Sequence, residues 1–401
     1  MGLRPACTTT TCTAAFATAT TWPRCASTTP GSPATSRASE GCPPAHNRAM
    51  TTTSSSPRLL DPARFVGDVD GRATALFFLR NAQGMVVAVT NLGAKILQIA
   101  VPDRHGALAD VVLGYDRLAD VITGSPSMGA FVGRYAGRMG GARFTLDGRE
   151  HLLTPNAGPH CIHGGPRGSR HRVFDTTQVD ARTLRLHHRF HTAEDRFPGT
   201  LDLQLTYRLD DDNALVLEHT ATALDKPGPA SFTSHIYFNL DGVDQGQRID
   251  GHTLQVPSDT VLATGIDGIA TGQRVPLEGH AQDLRSASRL GDLPDIDLSY
   301  VLAPNPVSEL RRCAQLHSEA SGRTLDVWTT EPLLQVYTAG QLGVAPQPDL
   351  GKWGVQHRPR SAVCLEPQHF PNAPNCPALP QNTVRPGMPY RATTVYRFGV
   401  R

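Results

Sequence analysis

Lysine is almost missing from this chain of 401 residues: Lys95, Lys226 and Lys352 are the only ones. Arginine carries the remaining basic charge, scattered among acids, and the formal net charge is only +2. A nucleic-acid binder concentrates its basic residues, so no nucleic-acid partner is expected. Apolar runs are short, with Ala75–Leu79 and Met85–Val89 no longer than buried strands, so no membrane partner is expected either. Cys-x-x-Cys does not occur among the 8 cysteines, which removes support for a zinc site or a thioredoxin-like motif. Cys7, Cys12, Cys25 and Cys42 stand near the start, and Cys161, Cys313, Cys364 and Cys376 are spread through the rest. In a chain this long they read as free thiols in a reducing compartment, which makes a cytoplasmic location the expectation. No Walker loop, dinucleotide fingerprint or Gly-x-Ser-x-Gly elbow is present.

What remains is ample for a core, with 39% hydrophobic and 18% charged residues. Residues 1–57 stand apart, rich in Thr, Ser, Ala and Pro, with Glu40 the lone acid beside Arg4, Arg24, Arg37 and Arg48. Such a segment cannot bury enough apolar surface to offset its ordering entropy, so a disordered, dispensable tail is expected. Its composition is like that of a transit peptide, which would give an organellar or periplasmic address, though it lacks an apolar h-region. An extended reading frame with Met50 as the true start fits as well. Residues 58–401 then form one domain.

From Pro57 onward the pattern is alternation. Met85–Val89 and Ile96–Val101 read as strands joined through Asn91-Leu92-Gly93. Arg143–Leu146 and His151–Leu153 flank Asp147-Gly148, a strong hairpin signal. Leu184, Leu186, His188 and Phe190 alternate, as do Leu201, Leu203, Leu205, Tyr207 and Leu209 before the turn Asp211-Asp212-Asn213; Leu215 and Leu217 resume. Many strands, close turn signals and little helical period point to an all-β sandwich or barrel.

Several strings could carry chemistry. His235 lies in Thr-Ser-His-Ile-Tyr-Phe-Asn-Leu and Glu366 in Cys-Leu-Glu-Pro-Gln, one proton donor and one acceptor far apart in sequence. Arg134 and Arg138, four apart, could offer planar forks to hydroxyls, or be surface salt-bridge residues. His163 precedes two glycines that would let backbone approach a ligand, or simply make a turn. His187, His188 and His191 look like a metal cluster, but no carboxylate spacing completes it, and no metal is expected. Asp295 and Asp297 would point the same way on an extended segment, as a hydroxyl-binding or glycosidase pair or as a polar loop. Glu331 and Gln335 lie near the strand-like run ending Val-Tyr-Thr-Ala-Gly, where an amide side chain suits hydroxyl recognition, or satisfied burial.

Taken in order, these strings resemble the aldose 1-epimerase family, the galactose mutarotases. The resemblance runs from about residue 60 to the end through Val-Gly-Arg-Tyr-Ala-Gly-Arg, Phe-Thr-Leu-Asp-Gly, Ile-His-Gly-Gly, Glu-Asp-Arg-Phe-Pro-Gly, Ser-His-Ile-Tyr-Phe-Asn-Leu, Ile-Asp-Leu-Ser-Tyr, Leu-Gln-Val-Tyr-Thr-Ala-Gly, Cys-Leu-Glu-Pro-Gln and Val-Arg-Pro-Gly. It implies a large antiparallel β-sandwich, the galactose mutarotase-like supersandwich, with a sugar cleft on one concave sheet. It implies Glu366 as general base at the C1 hydroxyl and His235 as general acid at the ring oxygen. Arg138, His163, Asp297 and Gln335 would hold hydroxyls of a free hexose. No cofactor is implied, and the assembly would be a monomer or homodimer. Two positions depart from the family pattern: Gly137 and Ser234 stand where members usually carry Asn. Arg134, Arg167 or Arg170 could instead serve a sugar phosphate, and a non-catalytic sugar binder of the same fold is the third reading.

Overall fold

The computed structural model describes residues 57–244, 246–344 and 349–401. Apart from Pro57, the expected tail lies outside the described residues, as do Cys7, Cys12, Cys25 and Cys42. Strands dominate, and among the described residues the α-helices are two short ones, Leu118–Thr123 and Thr192–Asp195. None is long and apolar enough to cross a membrane. Cys313, Cys364 and Cys376 are free and buried, and Cys161 is buried as well.

The expected alternation becomes strand. Along Leu201–Leu209 the residues Leu201, Leu203, Leu205, Tyr207 and Leu209 are buried while those between are partly or fully exposed, the period-two pattern of a sheet with one face on a core. Asp147 and Gly148 both have positive φ, 49° and 76°, which suits the two-residue turn their types favour. Pairing starts at once, with Arg149 opposite Leu146, so the second strand begins two residues earlier than its apolar positions suggest.

Three sheets carry the architecture. A nine-stranded antiparallel sheet runs in the spatial order Asp175–Gln178, Thr183–Phe190, Leu201–Leu209, Ala214–Ala223, Tyr390–Val400, Arg323–Thr329, Arg311–Ser318, His252–Gln255, Ser288–Arg289. A six-stranded sheet runs Tyr237–Phe238, Val363–Gln368, Leu333–Tyr337, Asp297–Val301, Thr260–Thr264, Ala270–Pro276. A four-stranded sheet holds Leu76–Arg80, Val86–Thr90, Lys95–Pro102 and Leu108–Asp110.

Leu334, Val336, Val363 and Leu365 of the six-stranded sheet share one apolar core with Leu325, Val327 and Tyr396 of the nine-stranded sheet. Each such side chain is worth about 1.5–3 kcal/mol of burial. Tyr396 also donates its hydroxyl to the Leu365 carbonyl at 3.1 Å, tying the two layers and satisfying a polar group that the core would otherwise strand. Because side chains alternate, the residues between these core positions must face the other way. They form the floor of the candidate site.

Candidate active site

Antiparallel register assembles that floor from three distant segments. Ser299 lies opposite Gln335, and Gln335 opposite Glu366. One pleat along, Asp297 lies opposite Tyr337, Tyr337 opposite Cys364, and Cys364 opposite Tyr237. Residues two apart on a strand share a face, so both rows open on the same side. Above them is a cleft of about 250 Å³, and Arg138, His163, His235, Asp297, Gln335 and Glu366 all line it. The volume falls below the range of roughly 300–1,000 Å³ usual for drug-sized ligands and suits one small polar ring.

His235 follows the short strand Thr233–Ser234, which pairs with Phe131–Val132. Its backbone N–H donates to Ala130 O at 2.8 Å, and its carbonyl accepts from Gly129 N at 2.9 Å. The imidazole stacks on Tyr237, centroids 4.9 Å apart and planes 8° from parallel. Backbone and ring are thus both pinned, and Nε2 stands 3.8 Å from Glu366 Oε1. Both side chains are buried. Burial pushes the Glu366 carboxyl well up, with the Asp297 charge adding to it. Burial also draws the His235 imidazole down to about 3, helped by the Arg170 guanidinium. Low dielectric favours the neutral form of each.

His163 sits at φ 54°, held by a bond from its N–H to Gly137 O at 3.0 Å. The Gly137 N–H donates to His163 Nδ1 at 3.3 Å. Burial, with Arg170 next, lowers this imidazole well below its ordinary value. A neutral ring accepting at Nδ1 carries its proton on Nε2 and presents a donor to the cleft. The glycines after it make the turn, with Gly165 N–H donating to Ile162 O at 3.0 Å. A Cβ on Gly164 would lie 2.2 Å from Gly133 O, so that glycine allows close packing on the chain's own backbone.

Arg138 is held by pairing of Arg138–Met139 with Cys161–Ile162. The preceding Gly137 has φ 78°, and a Cβ there would lie 2.8 Å from Pro371 Cβ. This position, where the resemblance would have Asn, is therefore crowded as well as left-handed. Gln335 accepts from Ser299 Oγ at 2.5 Å and donates from Nε2 to Asp297 Oδ1 at 2.6 Å. That chain aims the Asp297 carboxylate. Partial desolvation raises its carboxyl, and the Arg138 charge opposes the rise.

Other candidates lie elsewhere. Arg134 is buried and donates to Gly199 O at 2.9 Å and Pro198 O at 2.7 Å. It does not share a face with Arg138, because no regular strand spans the two. Asp295 precedes the strand that begins at Asp297 and pairs with Arg360 at 2.6 Å, so the two acids are not a catalytic pair. Glu331 is buried against the Tyr390 hydroxyl and is not in the cleft wall. Arg170 is buried on Ser127, and Arg167 is exposed in a groove with Arg72 and Arg172, so neither offers a phosphate grip at the cleft. His187 bonds Asp202 at 2.8 Å, His188 packs between Phe174 and Phe190, and His191 is exposed. Ser234 faces a small internal cavity with His219 and Glu331 and not the cleft. Missed by the sequence reading were Ser299, Tyr337, Gln341 and Gln368 of the cleft wall. Tyr337 and Gln368 lie two residues from Gln335 and Glu366, so the period of a strand was the signal for them.

Comparison with known proteins agrees with this geometry. The family model for aldose 1-epimerase matches residues 76–397. Galactose mutarotase of Rattus norvegicus is 36% identical over 336 residues, 82% of this chain and 95% of that protein. Aldose 1-epimerase of Escherichia coli K12 is 32% identical over 340 residues, 82% of this chain and 96% of its own. The solved structure of a GalM/aldose epimerase homologue from C. elegans superposes with a TM-score of 0.75 at 29% identity, covering 82% of this chain and 99% of that one. Galactose 1-epimerase from Lactobacillus acidophilus gives 0.70 at 25% identity, covering 83% and 97%. With a family match across most of its length and relatives covered almost end to end, the chain belongs to the aldose 1-epimerase family.

Proposed function

We propose that this protein is an isomerase that interconverts the α and β anomers of free hexoses such as galactose and glucose by opening and reclosing the ring. Opening a hemiacetal requires a proton to leave the C1 hydroxyl and another to reach the ring oxygen. Glu366 is the base for the first and His235 the acid for the second, each worth about 10²–10⁴-fold. Two oxygens on one carbon lie closer together than the 3.8 Å between His235 Nε2 and Glu366 Oε1, so both can be reached from one floor. That separation, between two buried groups, is the observation that carries the reading.

One proton on the pair serves both directions. Opening starts from imidazolium and carboxylate and ends with neutral imidazole and carboxylic acid. Rotation about C1–C2 turns the aldehyde over, and closure returns the proton the other way. Burial favours the neutral pair, the form that faces the open-chain aldehyde. The bound sugar's dipoles must therefore help the ionic form when the ring is closed. His163 Nε2–H donates to one hydroxyl, Asp297 accepts from another, and Gln335 keeps Asp297 aimed. Each contact fixes the ring so that C1 meets the pair.

Polarimetry on freshly dissolved α-galactose and α-glucose tests the reading. Equilibration faster than in buffer is expected. Acceleration on hexose 6-phosphate alone, or tight binding with no acceleration, would refute it.

A further inference from the structure

We propose that Cys364, His235 and Glu366 together form a binding site for a borderline-soft divalent cation such as Zn²⁺, and that the cation inhibits turnover by taking the floor of the sugar cleft. Cys364 has no part in the sugar chemistry above. It lies two residues before Glu366 on the same strand face. One ligand atom from each of the three lies within 4.8 Å of the other two, and all three residues are buried. His235 Nε2 and Glu366 Oε1 are 3.8 Å apart, too far for a hydrogen bond. Around tetrahedral zinc, with N and O at about 2.0–2.2 Å and S at about 2.3 Å, neighbouring ligand atoms lie roughly 3.3–3.8 Å apart. Small side-chain movements therefore close the site on a metal.

The donor set is one thiolate, one imidazole and one carboxylate, which favours zinc or cobalt over magnesium or calcium. His235 and Glu366 line the cleft, so the fourth position is left to water, and a cation there excludes the sugar. On binding, the S–H bond of Cys364 breaks, an S–metal bond forms and the proton goes to the buffer. A proton held by Glu366 leaves in the same way. Affinity rises by about tenfold per pH unit for each proton released.

Inhibition rests on the proposed roles of His235 and Glu366; cation binding rests on geometry alone. The experiment separates them by using Co²⁺ as a spectroscopic probe and Zn²⁺ as the inhibitor, on the full chain. Expected is a thiolate-to-cobalt charge-transfer band that galactose displaces and that Cys364→Ser, or Cys364→Ala if the first does not fold, removes. Zn²⁺ inhibition should be competitive with galactose and at least tenfold weaker in that variant, measured against its own metal-free rate. A band that survives loss of the Cys364 thiol, one that galactose leaves untouched, or Zn²⁺ inhibition equal in both proteins would overturn the proposal. A displaceable band in a protein with no metal-free turnover would leave the cation site standing and overturn the catalytic reading.

Discussion

Gln335→Leu isolates the positioning of Asp297. Leucine nearly matches glutamine in volume but neither donates to Asp297 nor accepts from Ser299. The two bonds lost measure 2.6 and 2.5 Å. A hydrogen bond to a charged group is worth about 1.5–3 kcal/mol. Asp297 keeps contact with solvent, so water replaces part of the loss and about 1.5 kcal/mol is the reasonable figure. At 1.36 kcal/mol per decade that is roughly a tenfold fall in kcat/KM. Because the hydroxyl contact proposed for Asp297 lies away from the reacting carbon, most of the fall should be in KM. The Gln335 bond also lowers the Asp297 pKa against desolvation. Without it the carboxyl rises further, so the deficit grows as pH falls and Asp297 takes up a proton. The assay is polarimetric kcat and KM on galactose at two pH values. A kcat/KM within twofold of the parent at both, or a loss confined to kcat, would refute the positioning argument.

Lys352, one of three lysines in the chain, donates to Leu97 O at 2.6 Å, to Val112 O at 2.7 Å and to the buried Asp110 carboxylate. Lys352→Met strands that carboxylate and should cost about 3–5 kcal/mol, a fall in Tm of roughly 4–7 °C at about 2.1 cal/mol/K per residue; adding Asp110→Asn should recover part of it, and a single variant as stable as the parent would contradict the accounting. Burial raises the Glu331 carboxyl to about 7. A raised acid favours the protonated fold, so its contribution to stability is lost as pH rises from its ordinary value of 4.5 through about 7. Glu331→Gln should flatten that decline, on the order of 3 kcal/mol, between urea titrations at pH 5 and pH 8; an unchanged slope would exclude Glu331 as its source. Deleting residues 1–57 should leave the polarimetric rate within about twofold, given that a polar segment poor in apolar residues has little core to contribute.

Much of the sheet structure was legible because alternation over Leu201–Leu209 and the Asp-Gly turn report local backbone demands. His235 and Glu366 stood out in the sequence as a proton donor and acceptor, but the roles proposed for them came only through the resemblance, since nothing local assigns a role to a histidine after Ser234. The pairing of Gln335 with Glu366 across neighbouring strands depends on register, which no single segment encodes. Asp295 and Asp297 looked equivalent because strand period treats them alike. Arg360, far along the chain, takes Asp295 out of the cleft, and a partner that distant leaves no local trace. Arg134 and Arg138 failed as a pair for a similar reason: the backbone between them is not a strand, so residue spacing does not set facing.

Glu366→Gln tests the central claim most directly, because it keeps the shape of the side chain and removes only its capacity to take a proton. Galactose binding by calorimetry and anomer equilibration by polarimetry are to be measured on the same preparation. Binding retained within a few-fold, with turnover reduced by about 10²-fold or more, is the result expected. A variant that equilibrates anomers at the parental rate would contradict the account.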